Sequence, residues 1–353
     1  MRRREFVYGG LAATIAPAMT PIPSARAAAA SAIPYGAAVR GGALVDDPEY
    51  RNALLERCSL VVPEGGLKWI ELRPTREEFN FFEADRLIEF ADRNGMRMRG
   101  HTLVWYAAMP DWTSSIRGAT ETQREMTHHI ERVVGYYKGR IPSWDVVNEA
   151  IADEPSDSDY LRPNLWLENL GDSYIETAFR RAAESDPQAQ LVINEYDIEC
   201  VGDRCKRRRD ALLRVVRNLR ERDVPLHAVG FQGHLRGEME IDVDGVSAFV
   251  AELKEMNVDV LVTELDVVDN LLPAEEDERD QIIADKVAAF LGAISDVAKP
   301  TAILTWGISD RYTWVPMYFT REDGKLNRPL PLDRDYRPKA FMKVIERFTG
   351  KEG

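Results

Sequence analysis

Cysteine is scarce in this chain, with three in 353 residues. That excludes a fold held by a disulfide framework and a Cys-rich zinc site. No run of about 18 uninterrupted apolar residues occurs, because Pro17, Thr20 and Pro21 break even the Ala-rich start, so a spanning helix is not expected. Positive charge is in deficit: 46 Lys and Arg against 59 Asp and Glu leave a formal charge of −13, the wrong balance for a nucleic-acid binder. After residue 35 there is no linker or low-complexity stretch, which argues for one domain. With 44% hydrophobic residues, that domain has the means to bury a large core.

The first residues read as an export signal. Arg2, Arg3 and Arg4 precede Phe6 in the twin-arginine manner, a modestly apolar segment follows, and Ala25-Arg26-Ala27 supplies a cleavage site. Residues 1–27 are therefore expected to be removed and residues 28–353 to act in the periplasm or outside the cell, with no membrane attachment left. An oxidising compartment permits a bridge between Cys200 and Cys205. Cys58 is expected in a buried helix, and all three cysteines are read as non-catalytic.

What fills the rest is alternation. Short apolar or β-branched segments fall at Tyr35–Val39, Leu60–Glu64, Met96–Trp105, Ser143–Glu149, Gln190–Tyr196, His227–His234, Val258–Asp266 and Ala302–Ile308. Segments with helical spacing lie between them, among them Ala84–Asn94, Thr122–Tyr137, Arg207–Arg222 and Glu276–Val297. Eight strands apolar on both faces and separated by crossover helices predict an α/β fold, a single (β/α)8 TIM barrel. An open doubly wound sheet is the alternative, without its Gly-x-Gly-x-x-Gly turn after the first strand.

In such a barrel the carboxyl ends of the strands share one face. Those ends carry Glu64, Lys68 and Trp69, His101 and Trp105, Asn148 and Glu149, Asn194 to Tyr196, Gln232 and His234, Glu264 and Asp266, and Trp306. Indole faces stack on sugar rings while amides and carboxylates bind hydroxyls, so the set predicts a carbohydrate site. Glu149 and Glu264 form the pair that glycoside hydrolysis needs, one protonating the departing oxygen and the other attacking or activating water. A strand-end Glu that is only ion-paired is the structural alternative for either residue taken alone.

The segments Pro63-Glu64-x-x-Leu67-Lys68-Trp69, Arg99-Gly100-His101-Thr102-Leu103-Val104-Trp105, Trp144-Asp145-Val146-Val147-Asn148-Glu149-Ala150, Gly230-Phe231-Gln232-x-His234-Leu235, Thr263-Glu264-Leu265-Asp266 and Thr305-Trp306-Gly307 follow one another over the mature chain. Their sequence and order resemble glycoside hydrolase family 10, the endo-β-1,4-xylanase family. The resemblance implies a retaining double displacement on xylan or a related heteropolysaccharide, with Glu264 as nucleophile and Glu149 as general acid/base. It implies supporting roles for Asn148, placed to hold the sugar 2-hydroxyl, and for His234 and Asp266 around the nucleophile; on physical grounds, hydrogen bonds from Asn148 and His234 to the Glu264 carboxylate would keep it ionised. It also implies sugar contacts from Glu64, Lys68, His101, Trp105, Tyr196, Gln232, Trp306 and Trp314. A polysaccharide or oligosaccharide is then the partner, a monomer is expected, and neither a cofactor nor a metal is called for. Hydrolysis of a bacterial exopolysaccharide or a β-1,4-glucan, or a non-catalytic sugar-binding barrel, are the other readings.

Two positions depart from the family pattern. Gly65 stands where the family places an asparagine after its Glu, and Tyr106-Ala107-Ala108 replaces a His-x-Gln, so two amides toward the second glycone sugar are missing. His128 and His129 are assigned to surface and packing, Trp144 to packing behind the site, and the run Lys206-Arg207-Arg208-Arg209 to a solvated helix face.

Overall fold

The computed structural model describes residues 32–350, and the expected export signal lies outside the described residues. The described residues form ten strands: β1 (Tyr35–Val39), β2 (Leu60–Pro63), β3 (Arg97–Met98), β4 (Gly100–Val104), β5 (Ser143–Asn148), β6 (Gln190–Glu195), β7 (Ala228–Phe231), β8 (His234–Arg236), β9 (Asp259–Val268) and β10 (Ile303–Thr305). Every pairing between them is parallel. The hydrogen-bonded order runs β3-β2-β1-β10-β9-β7-β6-β5-β4, with β8 on β9. Its two ends, β3 and β4, are consecutive pieces of one stretch joined at Arg99, whose N–H donates to Val61 (2.8 Å), so the sheet closes on itself. β7 and β8 are likewise two pieces of one stave, both against β9. The result is the expected (β/α)8 barrel.

Closure works because alternate residues face opposite layers. Ala38, Leu60, Val62, Val192, Ala228, Leu261, Leu304 and Trp306 form one buried cluster in the barrel interior, small on several staves so that the centre can fill. Their neighbours Ala37, Val39, Val61, Ile193 and Val229 point outward into the larger cluster shared with the helices. Gly100 shows how tight this layer is: a Cβ there would lie 2.0 Å from the Trp144 ring. Trp144 is fully buried behind the site, as its packing assignment requires.

The helices begin and end where local chemistry directs. Pro48–Arg57 starts at Asp47, whose carboxylate accepts the N–H groups of Glu49 and Tyr50, with Pro48 in the first turn. Ala340–Thr349 stops at Gly350 in the left-handed conformation. Cys58 is buried at the end of the first of these helices, and Cys200 pairs with Cys205, their Cα atoms 5.7 Å apart. Among the described residues no helix is long and apolar enough to cross a membrane.

One surface expectation is overturned. Helix Asp203–Glu221 contains the Lys206-Arg207-Arg208-Arg209 run in its first two turns, but only Lys206 and Arg207 are exposed. Arg208 and Arg209 are buried because a helix places two of four consecutive residues on its inner face. Arg208 pairs with the equally buried Glu195 (2.7 Å) and donates to the carbonyls of Ile151, Ala152 and Tyr196, and Arg209 holds Ile198 and Cys200. His129 is also buried, stacked 4.0 Å from Trp69, and burial first, then Arg73, holds it well below the usual histidine range.

Candidate active site

A cleft of about 930 Å³ opens at the carboxyl ends of the strands. Both carboxylates line it. Glu149 follows the last residue of β5 and turns out of the strand with φ of 57°, while Glu264 lies within β9. Glu64, Lys68, His101, Trp105, Asn148, Tyr196, Gln232, His234, Trp306 and Trp314 line the same cleft. Asp266 sits beneath it, fully buried.

Each carboxylate has its own donors. On Glu149, Oε1 accepts from the amides of Asn148 (3.1 Å) and Gln232 (2.9 Å), and Oε2 accepts from the Trp105 indole N–H (2.9 Å). On Glu264, Oε1 accepts from Asn194 Nδ2 (2.7 Å) and Oε2 faces His234 Nε2 (3.2 Å), with His101 Nδ1 3.8 Å from Oε1. The expected bond from Asn148 to Glu264 is not made. Asn148 serves Glu149, and Asn194, one strand over, takes the place beside Glu264. Parallel register causes this, because Asn148 on β5 stands opposite Asn194 on β6 and the latter is nearer β9.

Electrostatics keep Glu264 charged. Burial by itself disfavours the anion, yet the proximity of His101 and the hydrogen bond and charge of His234 outweigh it, and Glu264 is held below the ordinary carboxylate range. His234 is the reciprocal case. Burial disfavours its cation, but Asp266 on Nδ1 (2.8 Å) and Glu264 on Nε2 raise it well above the usual histidine range. The ring therefore donates from both nitrogens at neutral pH. The other oxygen of Asp266 accepts the indole N–H of Trp314 (2.7 Å).

The remaining expected contacts are placed with partners of their own. Both oxygens of Glu64 accept from Arg40 (2.8 and 2.9 Å). Lys68 lies over the Trp105 and Trp306 rings, 5.0 and 5.5 Å from their centroids, and burial lowers its pKa against the pull of Glu264, Glu64 and Glu149. His101 is buried and held through Nδ1 by Asp145 (3.1 Å), which also pairs with Arg99 (2.7 Å). Tyr196 keeps its hydroxyl between Asp153 and Arg162. Asn194, Asp145 and Arg162 are the residues that motif reading left without a role.

The departures are visible as space. Gly65 has no heavy atom within 4 Å of where a Cβ would stand, and it lines the cleft with Gly66 and Ala107. Ala108 is in the left-handed region (φ 51°), its carbonyl accepting from Ile70 (2.9 Å).

Comparison with known proteins agrees with this geometry. The family model described as "Glycosyl hydrolase family 10" matches residues 24–347. A β-1,4-xylanase of Dictyoglomus thermophilum is 33% identical over 311 residues, covering 84% of this chain and 84% of its own. Endo-1,4-β-xylanase B of Paenibacillus barcinonensis is 31% identical over 345 residues, 92% of this chain and 98% of its own. Among solved structures, xylanase 10B of Thermotoga petrophila RKU-1 in complex with xylobiose superposes with a TM-score of 0.82 at 30% identity, covering 95% of this chain and 99% of that one. Native xylanase 10B of Thermotoga maritima does so with a TM-score of 0.81 at 31% identity, covering 91% and 95%. With the family model spanning nearly all of the barrel and its site, this chain belongs to glycosyl hydrolase family 10, and it is a glycoside hydrolase.

Proposed function

We infer that the protein is a retaining endo-1,4-β-xylanase, with Glu264 as nucleophile and Glu149 as general acid/base. One observation carries the reading: two carboxylates from different staves face one cleft, one held ionised by a histidinium and the other ringed by neutral donors. In the first step Glu264 attacks the anomeric carbon while Glu149 gives its proton to the departing sugar oxygen. A glycosyl ester on Glu264 and a free reducing-side product result. Forming the ester removes the negative charge of Glu264. Glu149, now a carboxylate, takes a proton from water, and the hydroxide equivalent displaces Glu264 with overall retention.

The xylobiose complex of the Thermotoga petrophila relative and the xylanase names of the other relatives support a β-1,4-xylan substrate. The twin-arginine start supports export of a mature chain beginning near Ala28, acting as a monomer in the periplasm or outside the cell. The test is trapping. A 2-deoxy-2-fluoro-β-xylobioside with a dinitrophenyl leaving group is expected to inactivate the enzyme and leave a glycosyl adduct on the peptide containing Glu264. Reducing ends should also appear from soluble xylan with retained anomeric configuration. No adduct and no reducing ends would overturn the reading.

A further inference from the structure

The backbone at Glu149 is held from outside the ring of groups that touch its carboxylate. A residue with a side chain rarely rests at φ of 57°, and this one is fixed on both faces of its peptide. Its N–H donates to the Asn194 carbonyl (2.9 Å), and its own carbonyl accepts from Arg162 Nε (3.0 Å). The rest of that guanidinium is fully engaged. It grips Asp153 with two prongs (3.0 and 3.1 Å), donates to the Tyr196 hydroxyl, and lies over the Tyr106 ring, 4.5 Å from its centroid. The Arg162 N–H donates to the Ala150 carbonyl (2.7 Å), so the arginine returns to the strand end from both main chain and side chain. It is 8% exposed.

From this arrangement we propose that Arg162 is a positioning residue for the proton donor. Its Nε fixes the carbonyl of Glu149, which prevents the following peptide from rotating and keeps the carboxyl aimed at the departing oxygen. Its Nη2 holds Tyr196, which lines the same cleft, so one side chain ties the donor to a second wall of the cleft. Arg162 touches no reacting atom, and the proton passes only between Glu149 and the glycosidic oxygen. A lysine has a single ammonium and cannot span the carbonyl, Asp153 and Tyr196 together. The proposal rests on Glu149 as acid/base, as proposed above.

The test compares leaving groups in Arg162→Lys and Arg162→Gln. On xylohexaose, whose departing sugar needs the proton, kcat/KM is expected to fall about 30- to 100-fold. On 2,4-dinitrophenyl β-xylobioside, whose phenolate leaves unaided, kcat/KM is expected to fall less than about threefold. The kcat for that substrate should drop, because the second step also needs Glu149, and azide should restore it. Asp153→Asn, at a largely exposed side chain, keeps the test available should both arginine variants fail to fold, and the same selectivity of about 3- to 10-fold is expected. Equal losses on the two substrates, or no loss on either, in a variant with wild-type melting temperature would overturn the proposal while leaving the activity in place. A wild-type enzyme that cleaves neither substrate would instead overturn the functional reading beneath it.

Discussion

Asn194 and Asn148 meet amide to amide at 2.8 Å, and through that contact the surroundings of the two carboxylates become one network. Asn194 Nδ2 donates to Asn148 Oδ1 and to Glu264 Oε1 (2.7 Å), while its own oxygen accepts from the Thr263 hydroxyl (2.6 Å). The Glu264 carboxylate, which can only accept, fixes which way the amide faces. Asn148 in turn donates to Glu149, so a shift on one side of the cleft is felt on the other.

Replacing Asn194 by Asp keeps the shape and changes the sign. A donor to Glu264 is lost and a like charge is set beside it, which disfavours the ionised form that the proposed nucleophile needs. The acid limb of the pH–rate profile is expected to move up by about one pH unit or more, with kcat/KM at pH 6 down by about 100-fold. An unmoved limb would show that Asn194 only fills space.

His234→Gln removes the cation that favours ionised Glu264 while keeping a donor near Nε2. Glu264 is lowered in the intact site, so without His234 the acid limb should again rise by about one pH unit. Trp314→Phe is the milder version. It leaves one oxygen of the buried Asp266 without its indole donor and is expected to lower the melting temperature by a few degrees.

Much of this site is visible in the sequence because barrel strands end on one face, so a list of strand-end residues is already a list of neighbours. Glu64, His101, Glu149, Gln232 and Glu264 line one cleft for that reason. Register is the part that a linear reading lacks. Whether Asn148 or Asn194 reaches Glu264 depends on the stagger of β5, β6 and β9, and neither residue type nor spacing encodes it. Arg208 was hidden for a different reason. A run of four cations looks solvated until the helix phase turns Arg208 toward Glu195, a carboxylate that lies at the end of the preceding strand. Arg162 follows Glu149 by thirteen residues in a loop with no regular period, and only the folded loop brings its Nε to the Glu149 carbonyl.

Stability should be greater at pH 5 than at pH 8. Burial pushes Glu195 up to about 7 and Asp310 up to about 6, beyond what Arg208 and Lys339 offset, and it also raises Glu199. A carboxyl raised on folding holds its proton longer in the native state, so stability falls as pH rises from about 4.5 through those values. His234, also raised, contributes stability that is complete below about 6.5 and is lost as pH climbs through its folded value. Asp153, lowered to about 2 chiefly by its hydrogen bond from Arg162, acts at the other end, losing its contribution below pH 4. Melting curves should therefore peak near pH 5 and lie about 3 °C or more lower at pH 8. A rise toward pH 8 would contradict these protonation states.

Arg208→Met should destabilise the protein by about 3–5 kcal/mol in urea unfolding at pH 8, above the value of about 7 to which burial pushes Glu195, because it strands that fully buried carboxylate without its cation. Adding Glu195→Gln should recover part of the loss by removing the stranded charge while keeping an acceptor for the Ile151 N–H. A loss below about 1 kcal/mol in the single variant would mean that the loop after Glu149 holds itself.

Gly65→Asn tests what the missing amides do. The position is suited to it: no neighbour lies within 4 Å of the new Cβ, and it opens on the cleft beside Glu64 and Lys68. Ala108 is a poorer place to restore a side chain amide, since its left-handed backbone already strains a residue larger than glycine. One added hydrogen bond to a sugar is worth about 0.5–1.5 kcal/mol net, or about 2- to 12-fold in affinity. KM for unsubstituted xylo-oligosaccharides is therefore expected to fall about 3- to 10-fold with kcat unchanged, since the contact is made equally in ground and transition states. The same amide would occupy space now open to a substituent on the second glycone sugar, so activity on branched xylan should fall as activity on plain xylan rises. If both substrates improve together, Gly65 has only lost affinity; if the branched one alone declines, the glycine is what admits the branch.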